Sequence, residues 1–212
     1  MSDPSRIPQT NRIVLVRHAQ SRVDRASHPR EWGLTEDGRA AARRLAALGL
    51  FDRASGFYAG PEPKMRGTLA PLAAAHGHEV HAEAALAETE SEGWLGDGDF
   101  RTTVRRFFDA PHEAPAPGWE AAGQAVARFN ARAEALRAVH APQAYRGHAL
   151  PGTFVVASGG RLLTAYLASQ LGLSAAQAFE TWSRLRMPDL AVLELSATAP
   201  PRLVIPFGVL VV

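Results

Sequence analysis

Two short runs limit what this chain can fold into: Ile13-Val14-Leu15-Val16 and Phe154-Val155-Val156-Ala157. Both are unbroken in apolar residues. A strand with one wet face alternates with a period of two, so a continuous β-rich run predicts a strand covered on both faces. Segments with helical spacing alternate with these and with further short strands. That order predicts an α/β protein, a three-layer α/β/α sandwich around a mostly parallel central sheet. The chain has 212 residues, no internal repeat and no evident linker, which predicts one domain behind a polar tail over residues 1–11.

Local signals place the elements. In LTEDGRAAARRLAALGL, Thr35 can cap a helix, Glu36 and Asp37 suit its first turn, and Gly49 suits its stop. A strand is expected over 55–59. A second helix runs from about Pro63 towards Gly77, with a kink expected at Pro71. Helical spacing recurs over 100–108, 119–140, 161–172 and 174–183. A strand is expected over 153–158, preceded closely by His148, and closing strands over 189–196 and 201–212. The Pro/Ala-rich stretch 110–118 is a candidate surface insertion or lid.

Composition removes several function classes. The formal charge is only +2, which gives a nucleic-acid role little support. There are no cysteines, which excludes disulfides and Cys-based zinc sites and fits a reducing compartment. No apolar run approaches the roughly 20 residues of a membrane helix, and the N-terminus lacks a secretory apolar core. The expected location is the cytoplasm.

In open α/β sheets, ligands sit beyond the carboxyl ends of strands. Four segments leave strands there with polar or flexible residues: VRHAQS, ETESEGW, VVASGG, and the strand end at Ala59, whose following helix carries Lys64. Arg17 offers a fork-shaped donor for phosphate oxygens, and a neutral His18 can attack phosphorus. On the dipeptide alone, a surface Arg-His pair is the simpler reading.

The wider context changes that. VRHAQS, then GLTEDGRAAARRLA, then a PxxKxxxT-type helix, then LAETESEGWLG resembles the histidine phosphatase superfamily, the phosphoglycerate-mutase-like enzymes. The resemblance implies that His18 is the phosphorylated nucleophile and that Arg17 and Ser21 help bind phosphate. Lys64, the one lysine in the chain, stands where the family usually has an arginine, four residues before Thr68. It supplies charge without the bidentate fork, and Arg66 is an alternative. Glu88 matches the family's acid, in register with Leu86, Trp94 and Gly96, with Glu90 and Glu92 as near competitors.

Two departures stand out. By the resemblance, Ser158 occupies the place of the family's second histidine. Losing one preorganised donor of that kind costs about 10²–10³ in rate. Ser158 and the backbone of Gly159-Gly160 are therefore expected to bind phosphate in its place. Asp24 replaces an asparagine that can donate to phosphate. His28 is within possible reach of the site, whereas His76, His78, His81, His112 and His148 read as structural or surface residues.

The expected function is a phosphomonoester hydrolase working through phospho-His18, with Glu88 as general acid and base and activity reduced by Ser158. The competing reading is an impaired relative that binds a phosphorylated metabolite or a protein partner. A serine hydrolase built on Ser158 is discounted, because Val156 stands where a nucleophile elbow needs glycine. The resemblance implies no metal and no cofactor, with a small phosphorylated substrate or phosphate as the ligand. Loops 22–33 and 97–118 are expected to set the substrate.

Overall fold

The computed structural model describes residues 10–210 except 93, 94, 96, 141, 146 and 147. In chain order the elements are β1 (Thr10–Arg17), α1 (Glu36–Ala46), β2 (Ala54–Ala59), α2 (Pro63–Ala75), β3 (Val80–Ala82), α3 (Asp97–Asp109), α4 (Ala122–Val139), β4 (Gln143–Tyr145), β5 (His148–Leu150), β6 (Gly152–Ser158), α5 (Gly160–Leu171), α6 (Ala175–Arg184), β7 (Asp189–Ser196) and β8 (Arg202–Ile205).

Six strands form one sheet in the order β3-β2-β6-β1-β7-β8. β3, β2, β6 and β1 are parallel neighbours, while β7 runs antiparallel to β1 and β8 antiparallel to β7. The fold is therefore α/β with a mostly parallel centre. The unbroken apolar runs have the predicted cause. Ile13, Leu15, Phe154 and Val156 pack with Phe129 of α4 and Tyr166 of α5 on one face. Val14, Val16, Val155 and Ala157 pack with Leu45 of α1 and Met65 and Leu69 of α2 on the other. A strand in the middle layer has no wet face, so it needs no polar alternation.

Local chemistry sets the helix starts. Thr35 caps α1 by accepting from the Gly38 N–H at 2.9 Å. Ser174 opens α6 with a capping box to Gln177.

Several expectations need correction. Residues 10 and 11 belong to β1 rather than to a polar tail, and the Asn11 side chain is buried, donating to the His140 carbonyl at 2.5 Å. His148 does not begin the strand that carries Ser158. It lies in a separate β4–β5 hairpin, set off by Pro151, which has no N–H for a ladder. The last strand is only Arg202–Ile205, cut short before Pro206. Trp94 and Gly96 of the expected acid-loop motif lie outside the described residues, as do residues 1–9, 211 and 212. No described helix is long and apolar enough to cross a membrane.

Candidate active site

The parallel run of β1, β6 and β2 brings three chain segments to one edge. Arg17 pairs with Ser158 in register, and Ala59 with Ala157. Beyond these strand ends lies a cavity of about 420 Å³. Its floor holds Arg17, His18, Lys64, Glu88 and Arg161.

His18 is held from several sides. Its backbone N–H donates to the Ser158 carbonyl at 3.2 Å. The next peptide is clamped by Thr68, whose hydroxyl accepts from the Ala19 N–H at 2.8 Å and donates to the Lys64 carbonyl at 2.7 Å. This is the physical content of the lysine–threonine spacing read from the sequence. Gly38 is the counterpart on α1. A Cβ there would lie 2.3 Å from the Gln20 carbonyl oxygen, so only glycine lets the helix start pack on this loop.

The His18 ring has a defined tautomer. Nδ1 lies 2.8 Å from the Ala19 carbonyl oxygen. A carbonyl only accepts, so Nδ1 carries the hydrogen and Nε2 keeps its lone pair. Burial, with help from Lys64 and Arg17, lowers the His18 pKa to about 3. The imidazole is thus neutral across the ordinary pH range.

Glu88 is the opposite case, a fully engaged group. Oε1 accepts from the N–H groups of Thr89 at 2.8 Å and Leu162 at 3.1 Å, and Oε2 accepts from the Arg161 N–H at 3.3 Å. The carboxylate therefore caps the N-terminus of α5, where a helix favours an anion. Burial pushes its pKa up, but Arg161, the two N–H groups on Oε1 and Lys64 outweigh it, and the net direction is down. Glu90 and Glu92 are exposed, and Glu90 pairs with Arg30 instead.

Five expected site residues come together at the cavity: Arg17, His18, Ser21, Lys64 and Glu88. Ser158 and Gly159 do not line it. Ser158 is wholly buried, and its short side chain donates to the Leu86 carbonyl at 2.7 Å, away from the cavity. Gly160 lines the cavity, and the next two N–H groups of α5, those of Arg161 and Leu162, hold Glu88. Gly159 matters for space: a Cβ there would come within 1.9 Å of Glu88 Oε2. Arg66 is exposed, so the cation on this helix is Lys64, whose Nζ donates to the Pro29 carbonyl at 2.6 Å. Asp24 turns back on its own loop and accepts from the Ala26 N–H at 2.9 Å. His28 ties two loops together, accepting from the Arg30 N–H through Nδ1 and reaching the Ser91 carbonyl through Nε2 at 3.1 Å. The described residues contain no cluster of His, Asp and Glu suited to a metal.

Two residues escaped the sequence reading. Arg161 is 6% exposed, donates through Nη2 to the Thr89 carbonyl at 3.0 Å, and lies 4.4 Å from the Trp119 ring. Its Nη1, like Nε of Arg17, is buried with no partner in the protein. The available signal was position, because Arg161 directly follows the Gly-Gly turn into α5. Glu62 is the other. Its Oε1 accepts from the Glu88 N–H at 2.9 Å, and burial raises its pKa. It positions the acid loop from the start of α2.

The architecture first defines the chain as a three-layer α/β protein with a cationic cavity at its strand ends. Comparison with known families makes the assignment specific: the chain belongs to the histidine phosphatase superfamily (branch 1), whose family model matches residues 13–199. Solved structures agree on the fold. A mycobacterial hydrolase is similar with 21% identity and a TM-score of 0.73, covering 92% of this chain and 97% of its own. A mycobacterial glucosyl-3-phosphoglycerate phosphatase in complex with inorganic phosphate has 24% identity and a TM-score of 0.69, covering 91% and 95%. YhfR of Bacillus stearothermophilus has 18% identity and a TM-score of 0.73, covering 95% and 98%. No curated protein matches the sequence.

Proposed function

We propose that the protein hydrolyses phosphomonoesters through a phosphohistidine on His18. The observation that carries this reading is the neutral imidazole, fixed at Nδ1 and free at Nε2, beside three cations. Nε2 attacks phosphorus, the ester bond breaks, and the alcohol leaves. Water then attacks the phosphohistidine, releasing phosphate and restoring His18. Ester and water become alcohol and phosphate, with Glu88 giving one proton and recovering it.

Glu88 is ionised in the free site, so it cannot donate there. A phosphate dianion bound beside it competes for the fields of Arg161 and Lys64 and adds like charge. Both effects raise the Glu88 pKa, so the acid forms in the substrate complex. Arg17, Lys64 and Arg161, which line the cavity, would hold the phosphoryl oxygens. In this reading Arg161 supplies the charge that Ser158, in the place of the family's second histidine, does not. A second reading, binding without turnover, is favoured by one observation: the Ser158 hydroxyl is engaged by Leu86.

One experiment separates them. Hydrolysis of an aryl phosphate is followed in the wild type and in His18→Ala, with acid-labile phosphoprotein trapped in parallel. Turnover and label are expected in the wild type only. Equal turnover in the two proteins would remove His18 from the mechanism, and phosphate binding without turnover or label would establish the second reading.

A further inference from the structure

The cavity divides into two halves of different character. The floor is charged. Arg17, Lys64 and Arg161 against Glu88, with His18 neutral, leave a net charge suited to one phosphate dianion. The wall is apolar, formed by Val23, Trp32, Leu95, Phe100, Trp182 and Met187. Phe100 and Trp182 lie against each other with ring centroids 6.0 Å apart. Val23 and Met187 remain 51% and 44% exposed at the mouth, although both belong to the wall. Single exposed apolar residues are ordinary, but two of them continuous with an aromatic wall around a concave site mark a place for a ligand.

Beyond the floor, the polar side chains among the described lining residues are three, Gln20, Ser21 and Ser91, and none is charged. Gln20 Oε1 accepts from the Thr35 hydroxyl at 3.4 Å, and Ser91 Oγ accepts from Arg161 Nη2 at 3.5 Å. Among the described lining residues there is no cation beyond the three on the floor. A second anionic group on the substrate would lose water without gaining a cation, and a hydroxyl-rich group would meet more apolar wall than polar partners.

We infer that the preferred substrates are monophosphates of aromatic or bulky apolar alcohols that carry no second charge, and that Trp182, Phe100 and Val23 set this preference. The inference rests on the phosphatase reading for its chemistry but not for its binding test. An aryl ester alone would confound recognition with an easily departing group. The comparison therefore uses 2-phenylethyl phosphate against glycerol 3-phosphate, both esters of aliphatic alcohols.

The expected kcat/KM ratio is about tenfold or more in favour of the phenylethyl ester, which is the discrimination one well-buried apolar group provides. The difference should lie mainly in KM. Trp182→Ala should shrink the ratio by raising KM for the phenylethyl ester only. Val23→Ser, on an exposed position that cannot unfold the core, should do so more weakly. Val23→Arg should improve 3-phosphoglycerate by supplying the missing cation. Calorimetric titration of His18→Ala with the same two esters reads the preference without turnover. Equal affinities, or tighter binding of glycerol 3-phosphate, would overturn the substrate class even if hydrolysis were efficient. A tenfold binding preference with no hydrolysis of either ester would keep the class and remove the phosphatase reading.

Discussion

Two buried histidines sit at opposite ends of the sheet. His18 follows the carboxyl end of β1, and His140 follows α4 beside the start of β6. They are similarly hidden, at 8% and 9% exposed. Burial lowers the pKa of both, with Lys64 and Arg17 adding to the effect at His18, and His78 and His81 at His140. Their bonding differs. His140 uses both nitrogens: Ser55 Oγ lies 2.8 Å from Nδ1 and Tyr58 Oη lies 2.8 Å from Nε2. Ser55 donates its hydrogen to the Thr153 carbonyl at 3.1 Å, so it accepts from Nδ1–H, and Tyr58 donates to Nε2. The ring also stacks on Phe154 at 5.5 Å. His18 has one nitrogen fixed and the other free at a cavity. Burial and a shifted pKa therefore do not distinguish a reactive histidine from a structural one. Unused hydrogen-bonding capacity beside a cavity does.

The same criterion picks out Arg161, and the largest effect on the comparison is expected there. Arg161→Met keeps an unbranched side chain and removes the fork, with its partnerless Nη1 and its guanidinium over Trp119. The expected loss is about 10²–10³ in kcat, the usual cost of one preorganised donor. Arg161→Lys should recover part of it, since charge returns without the planar fork. The pH profile provides the control. Arg161 is the foremost group holding the Glu88 pKa down, so in Arg161→Met the Glu88 titration should move to higher pH. A rate loss without any change of profile would mean a structural role only.

How much of this was legible in the sequence depends on the kind of signal. The doubly covered strands were readable because burial on two faces leaves an unbroken apolar run. Arg17, His18, Ser21, Lys64 and Glu88 were readable because a strand end or a fixed spacing places each of them. Arg161 was not, because an arginine at a helix start looks like a surface charge until Glu88 is seen capping that helix. The role of the two residues after Gly159-Gly160 was hidden for the same reason. The turn was recognised as an anion site, but the sequence could not show that the anion is the protein's own carboxylate. The cavity wall was half legible, since loop 22–33 contributes Val23, Pro29 and Trp32, whereas Trp182 and Met187 come from the far end of the chain. The 110–118 stretch, read as a surface insertion or lid, contributes nothing to the described lining of this cavity, which leaves the surface insertion.

A smaller effect is expected at the structural histidine. His140→Phe keeps the stack on Phe154 and leaves the buried Tyr58 hydroxyl without its acceptor, while the exposed Ser55 keeps its bond to the Thr153 carbonyl. Unpaired buried polar groups cost about 1–3 kcal/mol, so the urea midpoint should fall while kcat/KM stays unchanged. A fall in activity with unchanged stability would reverse the distinction between the two rings.

The third effect is on acid stability, and its sign follows from the direction of the shift. The folded-state pKa of His18 is about 3 against 6.5 for an ordinary histidine. Between those values the unfolded chain holds a proton at this position that the folded chain does not. Stability linked to His18 is therefore full above about pH 6.5 and is lost as pH falls towards 3. At its steepest this amounts to about 1.4 kcal/mol per pH unit for one proton. His18→Gln has no such proton, so its stability should fall less steeply in urea titrations at pH 6, 5 and 4. The gap between the two slopes should approach one proton. Parallel slopes would mean that the His18 ring takes up a proton in the folded state as readily as in the unfolded chain. A ring that charges so easily would not be the neutral nucleophile on which the contrast with His140 depends.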